Sequence, residues 1–596
     1  MQNEAPNLPP PDGQAQGGQP QGGQAQGGLR ASAWAGRLRA LILDNKLFTL
    51  VLAAGAVLRL IAVLGYPGAL WFAGDSYVYL GAALRLRPDL SKSTGYSLLL
   101  KVLEPFHSLT LVTIVQHLMG LAIGVLLYVL LRRARVPRLV SALATVPVLL
   151  NGFQVELEHM IMADTLFMFL LVVAATILLW RPRPSWPAVL IAGLLTGYAV
   201  TVWSGGLILP VVFIVFVIWR RMGWRPLAAI VAGSAVPIVG YAAWFHSATG
   251  TFALTQSEGF YLYGRVSSFA ECSKINPPAN ERFLCLSIPV TKREPPGDLV
   301  WHIPQVKEVP GGPVSPAGNK MLRDFAIRAI EAQPVSYAHA IVDGVVLSVD
   351  WKRYNYPSQG TVYDYYFHTV PQVVPDHSWI PGATAPQDIQ AYGHQSISRV
   401  VKPLDSLMAG YERVFYLYGP LFGLILILGL GGVIQVRRRR SPDSGRAIAG
   451  FRLVRRRDGP SMMPWVAAVV LLVFPIAVAD FDYRYVLPVV PFACLAAGLA
   501  FAPPLSRRQP SVDPAPAGAE APVPAPAEAA PRIEAKAEAA PPHRGQRRRF
   551  SADGAENRRR SWSAGPILAV ASESAGRPRR AMRGEEGPGS AGQGGR

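Results

Sequence analysis

Four groups of ionisable residues have types and spacings that could do chemistry. Asp75 sits in Leu70-Trp71-Phe72-Ala73-Gly74-Asp75-Ser76-Tyr77, just past a first apolar stretch. A carboxylate there can take a proton from an attacking hydroxyl, or it can cap a helix over 76–87. Composition alone leaves both roles open. The segment Asn151-Gly152-Phe153-Gln154-Val155-Glu156-Leu157-Glu158-His159 offers two carboxylates and an imidazole. Such a set could hold a divalent cation such as Mg or Mn, or simply line a wet turn. In Asp480-Phe481-Asp482-Tyr483-Arg484-Tyr485, Arg484 could grip a phosphate bidentately or pair with Asp480 or Asp482. Arg59, His117 and Asp164 lie inside apolar stretches. Each costs about 2.5–3.5 kcal/mol to insert into a membrane, so each needs a reason to be there. A buried Arg59–Asp164 ion pair is one such reason.

The elements that must position these groups read as membrane helices. Of 596 residues, 50% are hydrophobic and only 16% are charged, against about 25% charged in soluble domains. About ten apolar stretches approach the ~20 residues that cross a bilayer, near 48–66, 109–131, 138–153, 160–180, 186–203, 206–220, 226–245, 412–435, 463–480 and 484–503. Arg132, Arg133 and Arg135, then Arg181 and Arg183, then Arg220, Arg221 and Arg225, then Arg437 to Arg440, then Arg507 and Arg508 follow alternate stretches. Basic loops stay cytoplasmic, so both termini are expected in the cytoplasm. Asp75, the 151–159 turn and Arg484 are then expected on the extracytoplasmic face of a multi-pass cell-membrane protein. The expected fold class is an all-α polytopic membrane protein with an extracytoplasmic region between its seventh and eighth helices.

The domain reading follows. Residues 1–40 form a Gln-Gly-Pro-rich cytoplasmic leader without a cleavable signal peptide, so the first stretch is expected to stay as an anchor. Residues 45–245 carry about seven helices, 246–411 form an extracytoplasmic domain or loop with helical content around 319–350, and 412–503 carry three more helices. Residues 504–596 are a low-complexity tail that cannot bury enough apolar surface to fold. The net charge of +20 is mostly topological and does not point to nucleic acid. It also suits a tail beside anionic lipid. Cys272 and Cys285, close in sequence and outside the cytoplasm, are expected to form a disulfide. Two thiols without nearby His partners make a poor metal set. Cys494 is a small packing residue in the last stretch.

On these motifs the chain resembles integral membrane glycosyltransferases of the GT-C class, in the superfamily of protein O-mannosyltransferases and aminoarabinose transferases. The features that carry the resemblance run in one order. Gly74-Asp75-Ser76 with Tyr79 follows the first stretch, and Ser93-Thr94-Gly95-Tyr96-Ser97 precedes the second. Glu156-Leu157-Glu158-His159 and Ala163-Asp164-Thr165 lie at the third-to-fourth turn, and Tyr483-Arg484-Tyr485-Val486-Leu487-Pro488 precedes the last stretch. The resemblance covers 45–245 and 412–503 and is closest to actinobacterial members. It implies a polyprenyl-phosphate-linked sugar as donor and a glycan, lipid or protein as acceptor. It also implies Asp75 as the base and Arg484 at the leaving phosphate. A metal at Glu156 and Glu158 is implied only for those relatives that need one, and this chain has Glu-x-Glu where certain members have Asp-x-Asp. The 246–411 region would recognise the acceptor. A transporter or flippase of lipid-linked sugars is the alternative, with Arg59, His117 and Asp164 along a path. The chain lacks the paired halves common in such transporters.

Overall fold

The computed structural model describes residues 43–72, 74–378, 380–394, 399–434, 436–438, 451–453 and 461–503. The expected leader 1–40 and tail 504–596 lie outside the described residues. The fold is helical. A short antiparallel ribbon pairs Val436–Arg438 with Phe451–Leu453.

A helix occupies each apolar stretch read from the sequence. Lys46–Gly65, Leu109–Arg133 and Trp224–Thr249 are long and apolar enough to cross a membrane. Two further crossings follow if each bent pair counts as one. Arg138–Leu149 meets Gly152–His159 at 50°, and Leu404–Val414 meets Gly419–Val433 at 56°. Asp164–Trp180, Trp186–Val202, Ser204–Trp219, Met462–Val478 and Tyr483–Leu499 are apolar but shorter than the ~20 residues of a full span. Ten full crossings do not follow from these lengths, because Gly, Pro and polar residues break the stretches.

The apolar residues of this bundle point outward as well as inward. On Lys46–Gly65 the exposed face carries Leu50, Val57, Leu60 and Leu64 at 53–67% exposure. The buried face carries Val51, Gly55, Arg59, Ala62 and Gly65. A water-facing helix is patterned the other way round, so the exposed stripe suits lipid. Small residues bring backbones close, as in membrane helix pairs. A Cβ on Gly197 of Trp186–Val202 would lie 2.3 Å from the Ser234 carbonyl oxygen on Trp224–Thr249.

The 246–411 region has a hydrophobic core of its own. Phe260 and Tyr263 of Glu258–Ser267 pack with Leu299 and Val300 of Pro296–His302 and with Leu322 and Phe325 of Pro316–Ala332. The sulfurs of Cys272 and Cys285 are bonded and pack against this core. Cys494 is buried in Val489–Leu499. The apolar helix Pro334–Val349 leaves that core and reaches the bundle. Tyr337 donates to the Ala477 carbonyl oxygen at 2.9 Å, and a Cβ on Gly344 would meet Ile476 at 2.6 Å.

Candidate active site

The residues leading to Asp75 are held as a strand between two neighbours. Leu70 N–H donates to the His159 carbonyl oxygen at 3.0 Å, and Ile161 N–H donates to the Leu70 carbonyl oxygen at 3.1 Å. On the other side the Gln372 amide accepts from Trp71 N–H and donates to the Trp71 carbonyl oxygen, both at 2.9 Å. Gly74 then turns the chain at φ 80°, a left-handed conformation that a side chain disfavours. The helix Asp75–Arg85 starts there. Its far end is fixed by a fork-to-fork pair, with Arg85 Nη1 and Nη2 each 2.7 Å from a carboxylate oxygen of Asp388.

Asp75 therefore opens a helix, but its carboxylate caps nothing. It is 7% exposed, and each oxygen meets a cation. Arg484 Nη1 donates to Oδ2 at 2.8 Å, and Lys92 Nζ pairs with Oδ1. Burial raises the Asp75 pKa, and Lys92 and Arg484 outweigh it, holding the group at about 2. Arg484 also lies 3.3 Å from Asp482 by its Nε and 5.0 Å above the Phe72 ring. Asp482 is fixed in turn by the Tyr365 hydroxyl at 2.8 and 2.9 Å. Of the two sequence readings of Arg484, the ion pair to Asp482 is present, beside a second to Asp75, and the residue lines a cavity.

Lys92 is the residue that sequence reasoning missed. Asp89 Oδ1 accepts from Ser91 N–H at 2.8 Å, from the Ser91 hydroxyl at 2.6 Å and from Lys92 N–H at 3.0 Å, a turn built on a side chain. Distant partners complete the support. Gln256 N–H donates to the Leu90 carbonyl oxygen at 2.7 Å, and the Ser257 hydroxyl donates to the Ser91 carbonyl oxygen at 2.7 Å. The local signal was Asp89-Leu90-Ser91-Lys92 directly before Ser93-Thr94-Gly95-Tyr96.

These groups end a cavity of about 410 Å³. Asp75, Lys92, Asp164 and Arg484 make its polar end, while Trp203, Leu207, Leu254, Phe474, Pro475 and Val478 supply apolar wall. Glu258 and Tyr261 contribute from the 246–411 region. Asp164 opens Asp164–Trp180 and faces this cavity.

The expected Arg59–Asp164 pair is absent, and the expected polar cluster divides. Arg59 forks onto Glu158 instead, Nε to Oε2 at 2.7 Å and Nη2 to Oε1 at 2.8 Å. The bend before Gly152–His159 carries Glu158 back between Lys46–Gly65 and Leu109–Arg133, nearer to Arg59 than Asp164 is. His117 Nδ1 lies 3.0 Å from Glu158 Oε2, and His117 Nε2 lies 3.0 Å from His159 Nδ1. His159 Nε2 meets the Tyr66 carbonyl oxygen at 2.8 Å. A carbonyl only accepts, so His159 donates from Nε2 and accepts at Nδ1 from His117. The His117–Glu158 contact then requires one further proton between them.

Glu156, Glu158 and His159 do not fit a shared divalent ion. Residues two apart on a helix point about 200° apart. Glu156 faces Glu412 with no donor on either oxygen, while Glu158 is saturated by Arg59, His117 and Gln154. Among the described residues, the side chains grouped closely enough for an ion are Glu294, Asp298 and His302, at an exposed edge.

No family model matches the chain, and no curated protein sequence matches it. Among solved structures it is similar to the S. cerevisiae protein O-mannosyltransferase Pmt1-Pmt2 complex bound to the sugar donor. The TM-score is 0.29 at 16% identity, over 41% of this chain. The chain spans 37% of the length of that relative. A likeness of that size carries no weight for function.

Proposed function

We propose that this protein is a membrane glycosyltransferase that moves a sugar from a polyprenyl-phosphate-linked donor to an acceptor hydroxyl at the outer face of the cell membrane. One observation carries the reading: one cavity is lined by two cations, Lys92 and Arg484, by the carboxylates Asp75, Asp164 and Glu258, and by apolar side chains. A lipid phosphate likewise combines a charged head with an apolar chain. The phosphate lies against Lys92 and Arg484, and the isoprenoid runs along Trp203, Leu207 and Phe474. The acceptor oxygen attacks the anomeric carbon, and the carbon–oxygen bond to phosphate breaks. The electron pair stays on the phosphate oxygen, where Lys92 and Arg484 offset the developing charge. Asp75 takes the acceptor proton. Asp164 faces the same space and orients sugar hydroxyls. Glu258 and Tyr261 bring the 246–411 region to the acceptor side.

The test is transfer of labelled sugar from a purified polyprenyl-phospho-sugar donor in detergent or vesicles. Arg484→Lys keeps the charge but loses the fork, so donor KM rises by about 10-fold or more. Asp75→Asn lowers kcat by about 100-fold or more. Full turnover in Asp75→Asn, with the protein folded, removes Asp75 as the base. Vesicles that flip the donor lipid without transferring sugar would support the transporter reading instead.

A further inference from the structure

The site holds its proposed base in a form unsuited to catalysis. Both Asp75 oxygens are occupied by cations, Oδ1 by Lys92 and Oδ2 by Arg484. The cations that would bind the donor phosphate are therefore the same two that neutralise Asp75. Neither is tied so firmly elsewhere that it cannot turn. Lys92 forms its ion pair with Asp75, and Arg484 has a single hydrogen bond from Nη1 and a looser 3.3 Å contact from Nε to Asp482. Both line the cavity.

Resting on the glycosyl-transfer reading, we infer that the donor phosphate unlocks Asp75: it takes over Lys92 and Arg484, and only then is the carboxylate free to receive the acceptor proton. The exchange conserves charge partners. Two cations leave one carboxylate and close on one phosphate. The reaction then runs as already balanced, with the acceptor proton ending on Asp75 and the electron pair of the broken bond on the phosphate.

The charges around Asp75 favour this order. Tyr79, Asp164 and Tyr485 also face it. None is a cation that could replace the two lost, and Asp164 adds like charge. A base held at about 2 is far from the operating pH at which proton transfer is efficient. Removing two opposite charges and adding a phosphate both raise a carboxyl's affinity for protons. An acceptor that arrives first meets a carboxylate that cannot serve it. Donor-first order is thereby built into the site, and water is denied an active base while the cavity holds no sugar.

The test follows the protonated-carboxyl infrared band of Asp75 in the full-length protein, titrated down from neutral pH with and without a short polyprenyl phosphate. Asp75→Asn identifies the band by its loss, and Asp75→Glu by its displacement if the Asn variant misfolds. Binding of the lipid phosphate is read separately from its phosphorus resonance. The expected result is a rise of the Asp75 midpoint by about 1–3 units when the lipid phosphate binds. Lys92→Gln should raise the midpoint by about 1 unit or more with no lipid present. Binding without a midpoint shift overturns the unlocking while leaving the transferase reading intact. Absence of binding overturns both.

Discussion

At the scale of single residues, the chain uses its buried charges in two unlike ways. Asp75, Lys92 and Arg484 line a cavity, so their ion pairs can be exchanged for ligand. Arg59 and Glu158 are 2% and 0% exposed, and they fork onto each other. Arg59 spends its remaining nitrogen on the Gly55 and Leu149 carbonyl oxygens, at 3.0 and 2.9 Å. That site is structural. Arg59→Met leaves Glu158 without its guanidinium and should cost about 3–5 kcal/mol of stability. Glu158→Leu alone should cost about the same, because it strands Arg59. The pair Arg59→Met with Glu158→Leu removes both charges and should cost no more than either change alone, so the cycle gives a coupling energy of about 3 kcal/mol or more. Denaturation in detergent measures all of these. Additive losses would mean the two side chains do not depend on each other.

At the scale of elements, the loop that carries Asp75 is held from outside itself. Gln372 forms a two-point clamp on Trp71, and Asp388 forks onto Arg85 beyond the helix. Gln372→Leu removes both hydrogen bonds from the clamp on Trp71, at a cost of about 1–3 kcal/mol. A loosened loop misplaces Asp75 but leaves the lipid phosphate its cations. The expected outcome is a lower kcat with donor KM within about twofold of wild type. A raised donor KM with unchanged kcat would show that the clamp serves binding. The sequence expected Asp75 and Arg484 on one face, each after an apolar stretch, and the structure brings them to 2.8 Å. The supports of the Asp75 loop were not legible. Gln372 and Asp388 act across some 300 residues, and no periodicity reports a contact of that range. Lys92 was hidden for the same reason: the turn that carries it is held by Gln256 and Ser257. The partner of Arg59 was misread because it depends on the bend before Gly152. Close approach is also invisible in sequence. Gly120 is required because a Cβ there would lie 1.9 Å from Glu158 Oε1.

At the scale of the molecule, the cavity lies where the bundle core and the 246–411 core meet, and Pro334–Val349 ties them together. The sequence signalled helix around 319–350 but assigned it to an extracytoplasmic domain. The helix is apolar, and Val335, Val342 and Val346 are 52–67% exposed. Both of its ends touch the end of the bundle that carries Arg484. Tyr337 bonds to Ala477, just before Asp480, and Asp350 packs on Gly419. Beyond it, Tyr354 N–H donates to the Tyr483 hydroxyl at 2.8 Å. A helix crossing the bilayer would have one end far from that turn. This one lies across it, with its valines turned away from the protein and Trp351 exposed beside its last turn. That arrangement suits a helix lying in the membrane interface. Spin labels at Val335, Val342 and Val346 decide the matter. Each should be relaxed more strongly by lipid-soluble oxygen than by a water-soluble nickel chelate, and all three should report one shallow depth. A crossing helix would instead show depth changing by about 1.5 Å per residue, or roughly 16 Å between the first label and the last.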